Sequence, residues 1–301
     1  MQRRIFLKNT GLVLSASMIM QKKVIAELFN VPEFKIKMLR NNVGVFTERG
    51  GTIGFLLGVE GIVVIDSQFP EPANHLIEEL KKLNQQPILY LINTHHHGDH
   101  TSGNIAFKGI AGHIVAHENS LANQKRVAES QNTLDKTLLP DMTFSTDWKL
   151  KTKKEKIKAD YFGPGHTNGD AVIHFEEANI VHMGDLMFNR RHPFIDRSAG
   201  ASISNWITIL DKSVKRFDKD TIFIFGHSLV PGAETGSAED LKLFKDYLEK
   251  LLVFATSEVK AGKSKEEFLK NTSIPGVTEW KGDGIERPLT AAFEEVSARG
   301  F

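Results

Sequence analysis

Thr94-His95-His96-His97-Gly98-Asp99-His100 sets four histidines and an aspartate within seven residues. The apolar run Ile88-Leu89-Tyr90-Leu91-Ile92 stands just before it and reads as a buried strand. The cluster therefore lies where a strand gives way to a loop, the usual place for a site on an α/β sheet. Imidazole and carboxylate together suit a divalent first-row metal, zinc above all. Side chains two apart in an extended segment point the same way, so His95 and His97 can share one ion. Gly98 lets the backbone turn, after which Asp99 and His100 can face a second ion. A solvated histidine-rich tract, the plainer reading, gives no reason for a glycine and an aspartate in this order behind an apolar strand.

Working outward, periodicity predicts strands over 34–38, 43–46, 52–57 and 62–65, the last closed by Asp66-Ser67. Leu76, Ile77, Leu80 and Leu83 recur at helical spacing over 71–83, with Pro72 in the first turn. A short strand over 113–116 and a helix over 118–130 follow. Residues 131–150 read as irregular and the basic run 149–158 as a solvated hairpin. Strands are expected at 171–175, 180–183 and 221–227. A helix over 202–217 carries Trp206, Ile209, Leu210, Val214 and Phe217 on one face, and another spans 241–259. One or two more helices fill 264–301. No stretch rich in Pro, Gly or Ser divides the chain, so residues 34–301 read as a single α/β domain of two similar halves, strands inside and helices outside. Three further candidates stand at strand ends beside glycine: His166 in Gly165-His166-Thr167, Asp185 after Gly184, and His227 after Gly226.

The composition is that of a soluble globular protein: 301 residues, 41% apolar and 25% charged. A formal net charge of +1 does not point to nucleic acid as a partner. The absence of cysteine excludes disulfides, thiolate ligands and a cysteine nucleophile. The N-terminus, Met1-Gln2-Arg3-Arg4-Ile5-Phe6-Leu7-Lys8, resembles a twin-arginine export signal. The apolar run 11–20 that follows is too short to span a bilayer, and Val24-Ile25-Ala26 suits cleavage. Residues 1–26 are thus expected to be removed by way of the twin-arginine export machinery, leaving a periplasmic or secreted protein with no stable membrane span. Loss of Arg3, Arg4, Lys8, Lys22 and Lys23, with no acid among those residues, takes the net charge from +1 to −4.

Asp66 after a strand, the His-x-His-x-Asp-His loop, then His166, Asp185 and His227 appear in that order. In this the chain, from about 34 to 260, resembles the metallo-β-lactamase superfamily. The resemblance implies a four-layer αββα sandwich with the site at one edge. It implies that His95, His97 and His166 hold one Zn2+, that Asp99, His100 and His227 hold a second, and that Asp185 bridges the two. Aspartate at 185 matches the glyoxalase II-like branch, whereas well-known β-lactamases often carry cysteine or serine there.

The expected function is a binuclear zinc-dependent hydrolase of a small-molecule substrate. A hydroxide shared by two ions would cleave an ester, lactone, thioester or cyclic amide, the last being β-lactamase-like. Asp99 is the candidate catalytic residue, as ligand and steering group. Asp66 is a candidate for orienting a ligand imidazole, or else a turn cap. Arg190 and Arg191, in the loop that leaves Asp185, are candidate substrate contacts. His75, His96, His113, His117, His174 and His182 read as satisfied or surface histidines. Two other classes compete. A flavodiiron-type redox enzyme typically replaces a histidine of the first motif with glutamate, and His97 is intact. A non-catalytic metal-binding protein on the same scaffold usually loses ligands, and here all seven stand.

Overall fold

Alternation of apolar residues builds two sheets in the computed structural model, which describes residues 34–282 and 284–300. The first sheet runs in chain order: β1 (Lys35–Met38), β2 (Val43–Thr47), β3 (Ile53–Leu57), β4 (Ile62–Ile65), β5 (Ile88–Ile92), β6 (Ala111–His117) and β7 (Met142–Phe144). Pairing from β2 to β4 is antiparallel, through tight turns. From β4 to β7 it is parallel, which demands crossovers. Helix α1 (Pro70–Leu83) links β4 to β5. The short α2 (Gly98–Thr101) with the 3-10 turn Ser102–Phe107 links β5 to β6, and α3 (Glu118–Ser130) links β6 to β7.

The second sheet draws on β8 (Asp147–Lys151), β9 (Lys156–Tyr161), β10 (Ala171–Phe175) and β11 (Ile180–His182). After β11, β12 (Phe188–Asn189) leaves to pair in parallel with β14 (His227–Ser228) as a separate ribbon. Strand β13 (Ile222–Ile224) lies parallel to β11, and β15 (Thr235–Gly236) closes the edge. Helices α4 (Ile203–Arg216), α5 (Ala238–Lys260), α6 (Lys265–Phe268) and α7 (Glu286–Ser297) follow.

Val43, Val45, Val63, Ile65, Ile92 and Val115 of the first sheet pack with Ile157, Ala159, Ile173, Phe175 and Ile180 of the second. The sheets therefore stack face to face, and a strand's alternate residues belong to the outer layers. Val172, Val181 and Phe223 point outward into a second core with Trp206 and Leu210 of α4, Phe244 and Leu248 of α5, and Leu289 and Val296 of α7. On the other side Val64 and Leu91 are fully buried, as are Leu76 and Leu80 of α1. The layers run helix–sheet–sheet–helix, the αββα sandwich expected from the resemblance.

Three expectations need correction. Residues 131–150 are not irregular: they hold β7 and most of β8. Both are short strands, and β8 exposes every second residue, so its alternation looks polar. The strand expected over 221–227 stops at Ile224, and His227 leaves to pair beside Phe188. The halves also differ: the first sheet is mixed, antiparallel from β2 to β4 and parallel from β4 to β7, and the second is antiparallel save for β11 beside β13. The export expectation for residues 1–26 lies outside the described residues. Among the described residues no helix is long and apolar enough to cross a membrane.

The topology decides where the site falls. Strands β4, β5, β11 and β13 end toward one edge, and each hands its next residues to a loop: Asp66, the histidine cluster, Asp185 and His227. Strand β9, antiparallel to β10 as β11 is, ends the same way and leads to His166. The two sheet ends are tied there, since Thr52 N–H donates to Gly226 O at 2.9 Å and His182 Nε2 reaches Thr52 O at 3.0 Å.

Candidate metal centre

His97 Nδ1 lies 3.1 Å from His95 Nε2 and 2.8 Å from His166 Nε2. The outer nitrogens of these rings fix what the inner ones present. His166 Nδ1 is 2.7 Å from the Phe194 carbonyl, which only accepts, so it carries the proton. His97 Nε2 faces the Asp196 carboxylate at 2.9 Å. Thr94 Oγ1 donates to Asp66 Oδ2 at 2.7 Å and so accepts from His95 Nδ1 at 3.0 Å. Three lone pairs therefore converge on one point, an arrangement that one proton cannot satisfy and one cation can. Burial opposes charging the rings: it holds His166 down at about 3 and His95 well below its ordinary value.

Beside this tripod, His227 Nε2 lies 3.0 Å from Asp99 Oδ2 and 3.4 Å from His100 Nε2. His100 turns its other nitrogen, Nδ1, to Asp66 Oδ2 at 2.7 Å. Burial works against charge here too, yet the carboxylates of Asp185, Asp99 and Asp66 raise His100 well above the usual histidine range. His227 is likewise pushed up to about 9, Asp185 and Asp99 outweighing its burial.

Asp185 sits between the two groups. Its Oδ2 lies 3.5 Å from His166 Nε2 and 3.4 Å from His227 Nε2, and its Oδ1 lies 3.0 Å from His100 Nε2. Although buried, that Oδ1 makes no hydrogen bond of acceptable geometry. Burial works to raise its carboxyl, but the imidazoles of His227, His100 and His95 hold it well below the carboxylate range. Two glycines admit this crowding: a Cβ on Gly51 would come within 2.1 Å of the His100 ring, and one on Gly226 within 2.1 Å of Asp185 Oδ1. The structure thus gathers all seven residues singled out as ligands into two adjoining clusters, His95/His97/His166/Asp185 and Asp99/His100/His227, each able to hold a metal ion. The donor set fits divalent zinc.

A family model described as the metallo-beta-lactamase superfamily matches residues 46–253. The chain belongs to this superfamily. The type 2 metallo-beta-lactamase of Bacillus sp. (strain 170) is 28% identical over 206 residues, 65% of this chain and 76% of that protein. The corresponding Bacillus cereus protein is 27% identical over 206 residues, 65% and 77% of the two chains. The solved structure of a metallo-beta-lactamase from Pontibacter korlensis superposes with a TM-score of 0.61 at 21% identity, covering 72% of this chain and 99% of that one. At that identity the likeness is one of fold.

In this superfamily member the carboxylate of Asp66 is fully buried behind both clusters. It accepts from Thr94 N–H at 2.7 Å, from Thr94 Oγ1, and from His100 Nδ1, and so sets one ring of each cluster, His95 through Thr94 and His100 directly. Asp196 was not foreseen. It caps a 3-10 turn (Arg197–Ala199) through one oxygen and reaches His97 through the other. The Asp-x-Ser-Ala pattern at 196–199 signals the cap, but nothing local signals the reach. His96, expected to point away, is buried with Nε2 3.6 Å from Asp196; it stands outside the two ligand clusters but forms a third His/Asp group with His97 and Asp196. Replacing Asp196 with Ala leaves the His97 ring free to turn. Zinc affinity at the tripod is expected to fall roughly 10–100-fold with Asp99 and His227 untouched, as measured by chelator competition; parental affinity would show that Asp196 is only a cap.

A cleft of about 320 Å³ opens in front of the clusters, walled by Asp99, Asp185, His227, Arg191, His192 and Phe194 among others. Arg191 therefore faces the expected substrate space. Arg190 does not. Its backbone is left-handed, φ 59°, and its guanidinium pairs with Glu279 at 2.8 Å and lies over the Trp280 ring at 5.0 Å. The remaining histidines are engaged structurally: His113 with Asp141, His182 with Thr52, and His117 as the cap of α3. Trp206 is fully buried in α4, its ring 5.6 Å from that of His166.

Proposed function

We propose that this protein is a binuclear zinc hydrolase that cleaves an ester, lactone, thioester or cyclic amide. The observation that carries the reading is the convergence of imidazole nitrogens beside a buried carboxylate with an unsatisfied oxygen, at the floor of an open cleft. The relatives named metallo-beta-lactamases support amide hydrolysis as one member of the set. His95, His97 and His166 would hold one ion, and Asp99, His100 and His227 the other, with Asp185 between them. Ions bound there supply a water that is acidic near neutral pH and a Lewis acid for the acyl oxygen.

The chain's own residues do the rest. Asp99 is half-exposed at the cleft, and His100 and the His227 hydrogen bond hold it down at about 2 against its burial. It therefore stays an acceptor through the working pH range and can orient the attacking water. Phe188, stacked on His227 with ring centroids 5.3 Å apart, and Phe194, 5.2 Å from the His97 ring, keep the flank of the site apolar.

Protein loaded with zinc at neutral pH should carry about two zinc ions per chain by elemental analysis. A reproducible value near one, or iron with a redox cycle, would overturn the binuclear hydrolase.

A further inference from the structure

The segment matched by the superfamily ends at residue 253, yet the cleft has a wall from beyond it: Gly284 and Arg287, at the start of α7. A second hollow of about 430 Å³ adjoins the first, and Phe194, Gly284 and Arg287 line both. The space in front of the ligand clusters therefore runs on as a groove along α7, past Ile195, Thr290 and Ala291. Helix α7 is held firmly in place. The buried Glu295 carboxylate accepts from Ile203 N–H at 2.7 Å and Ser204 N–H at 3.0 Å, the free amides at the start of α4.

Charge divides this groove. Arg191 and Arg287 stand at the metal end, and neither has an ion-pair partner among the described residues. Neighbouring arginines are already engaged, Arg190 with Glu279 and Arg197 with Glu295. The Arg287 guanidinium lies 5.8 Å from the centre of the Phe194 ring, which shields one side of it. Of the acids that line the rest of the groove, Glu294 is paired with Lys265 at 2.7 Å and Glu286 adjoins Arg287 in sequence. Two unpaired guanidiniums beside the clusters call for an anion there, while Arg197 and Glu294 farther along are already paired and call for none.

Resting on the hydrolase reading, we propose that the C-terminal helix is part of the substrate site. Arg287 with Arg191 grips a carboxylate close to the scissile acyl group, and the groove along α7 receives the uncharged, largely apolar remainder of the molecule.

The test uses the full zinc-loaded chain and two probes that differ in one charge and hold no bond the proposed hydrolase cleaves, 6-phenoxyhexanoic acid and 6-phenoxyhexan-1-ol, with binding read by calorimetry. Binding needs no turnover, so failure of the hydrolase reading would show separately, as zinc-loaded protein inactive on acyl substrates. The parent should bind the acid about tenfold or more tighter than the alcohol. Arg287→Ala should weaken the acid roughly 10–100-fold, the size of a lost charged hydrogen bond, with the alcohol little changed and zinc content constant. Arg287 is exposed, so folding is not at stake, and Arg287→Lys should recover part of the loss. Thr290→Trp, which fills the groove, should weaken both probes. The proposal is overturned if the parent does not favour the acid, if Arg287→Ala binds the acid as the parent does, or if Thr290→Trp leaves both affinities unchanged.

Discussion

Asp185→Asn is expected to lose the metal of the Asp99/His100/His227 cluster and to fall in turnover by roughly a hundredfold or more, while staying folded. The side chain keeps its size, so the close packing against Gly226 survives. What changes is charge and donor character. The carboxylate has an oxygen near each cluster, 3.5 Å from His166 and 3.0 Å from His100. An amide offsets no cationic charge, and its NH2 would turn a donor toward an ion or an imidazole. The tripod keeps three imidazoles and should keep its ion. The other cluster, with two imidazoles and one half-exposed carboxylate, should not. Elemental analysis together with turnover on any substrate found decides the point; unchanged values for both would mean that Asp185 is no ligand.

The second large effect is expected at Asp66. Replacing it with Ala removes the acceptor of Thr94 N–H, Thr94 Oγ1 and His100 Nδ1 at once, all of them buried. Breaking such a buried charged network costs about 3–5 kcal/mol. Alanine is also strained at φ 65°, a region that Asp and Asn tolerate better. Asp66→Asn separates the two effects. It keeps the backbone and one acceptor oxygen, but its NH2 must face either Thr94 N–H or the Thr94 Oγ1 and His100 Nδ1 pair, which share one carboxylate oxygen. It should fold with a smaller loss of stability and a metal affinity reduced roughly 10–100-fold. Denaturant titration of the metal-free proteins and chelator competition measure the two quantities. If Asp66→Asn matches the parent in both, the residue is only a turn cap.

Why the seven candidate donors could be gathered from the sequence follows from the topology. Parallel strands deliver their carboxyl ends to one edge, so chemistry-bearing residues just past an apolar run meet there, and Asp66, the histidine cluster, Asp185 and His227 all have that form. Asp196 does not. It lies in a loop and meets His97 across 99 positions of chain. Arg190 and Arg191 were equal candidates in the sequence; which of them lines the cleft depends on the left-handed backbone at Arg190, which sends its guanidinium to Glu279 and Trp280. The cleft wall at Gly284 and Arg287 had no signature, since only the docking of α7 brings it there. Strands β7 and β8 were missed because an edge strand with one wet face resembles a loop when it is three to five residues long.

The seven candidate donors are shared between the sheets. His95, His97, Asp99 and His100 leave strand β5, while His166, Asp185 and His227 come from the other half of the sandwich. On the proposed reading, no ion is bound by one half alone, and each acts as a rivet through the seam between them. Retention of metal would then report that the two halves are correctly mated, and a chain whose halves had slipped by a single residue would betray itself by coming out of the cell empty.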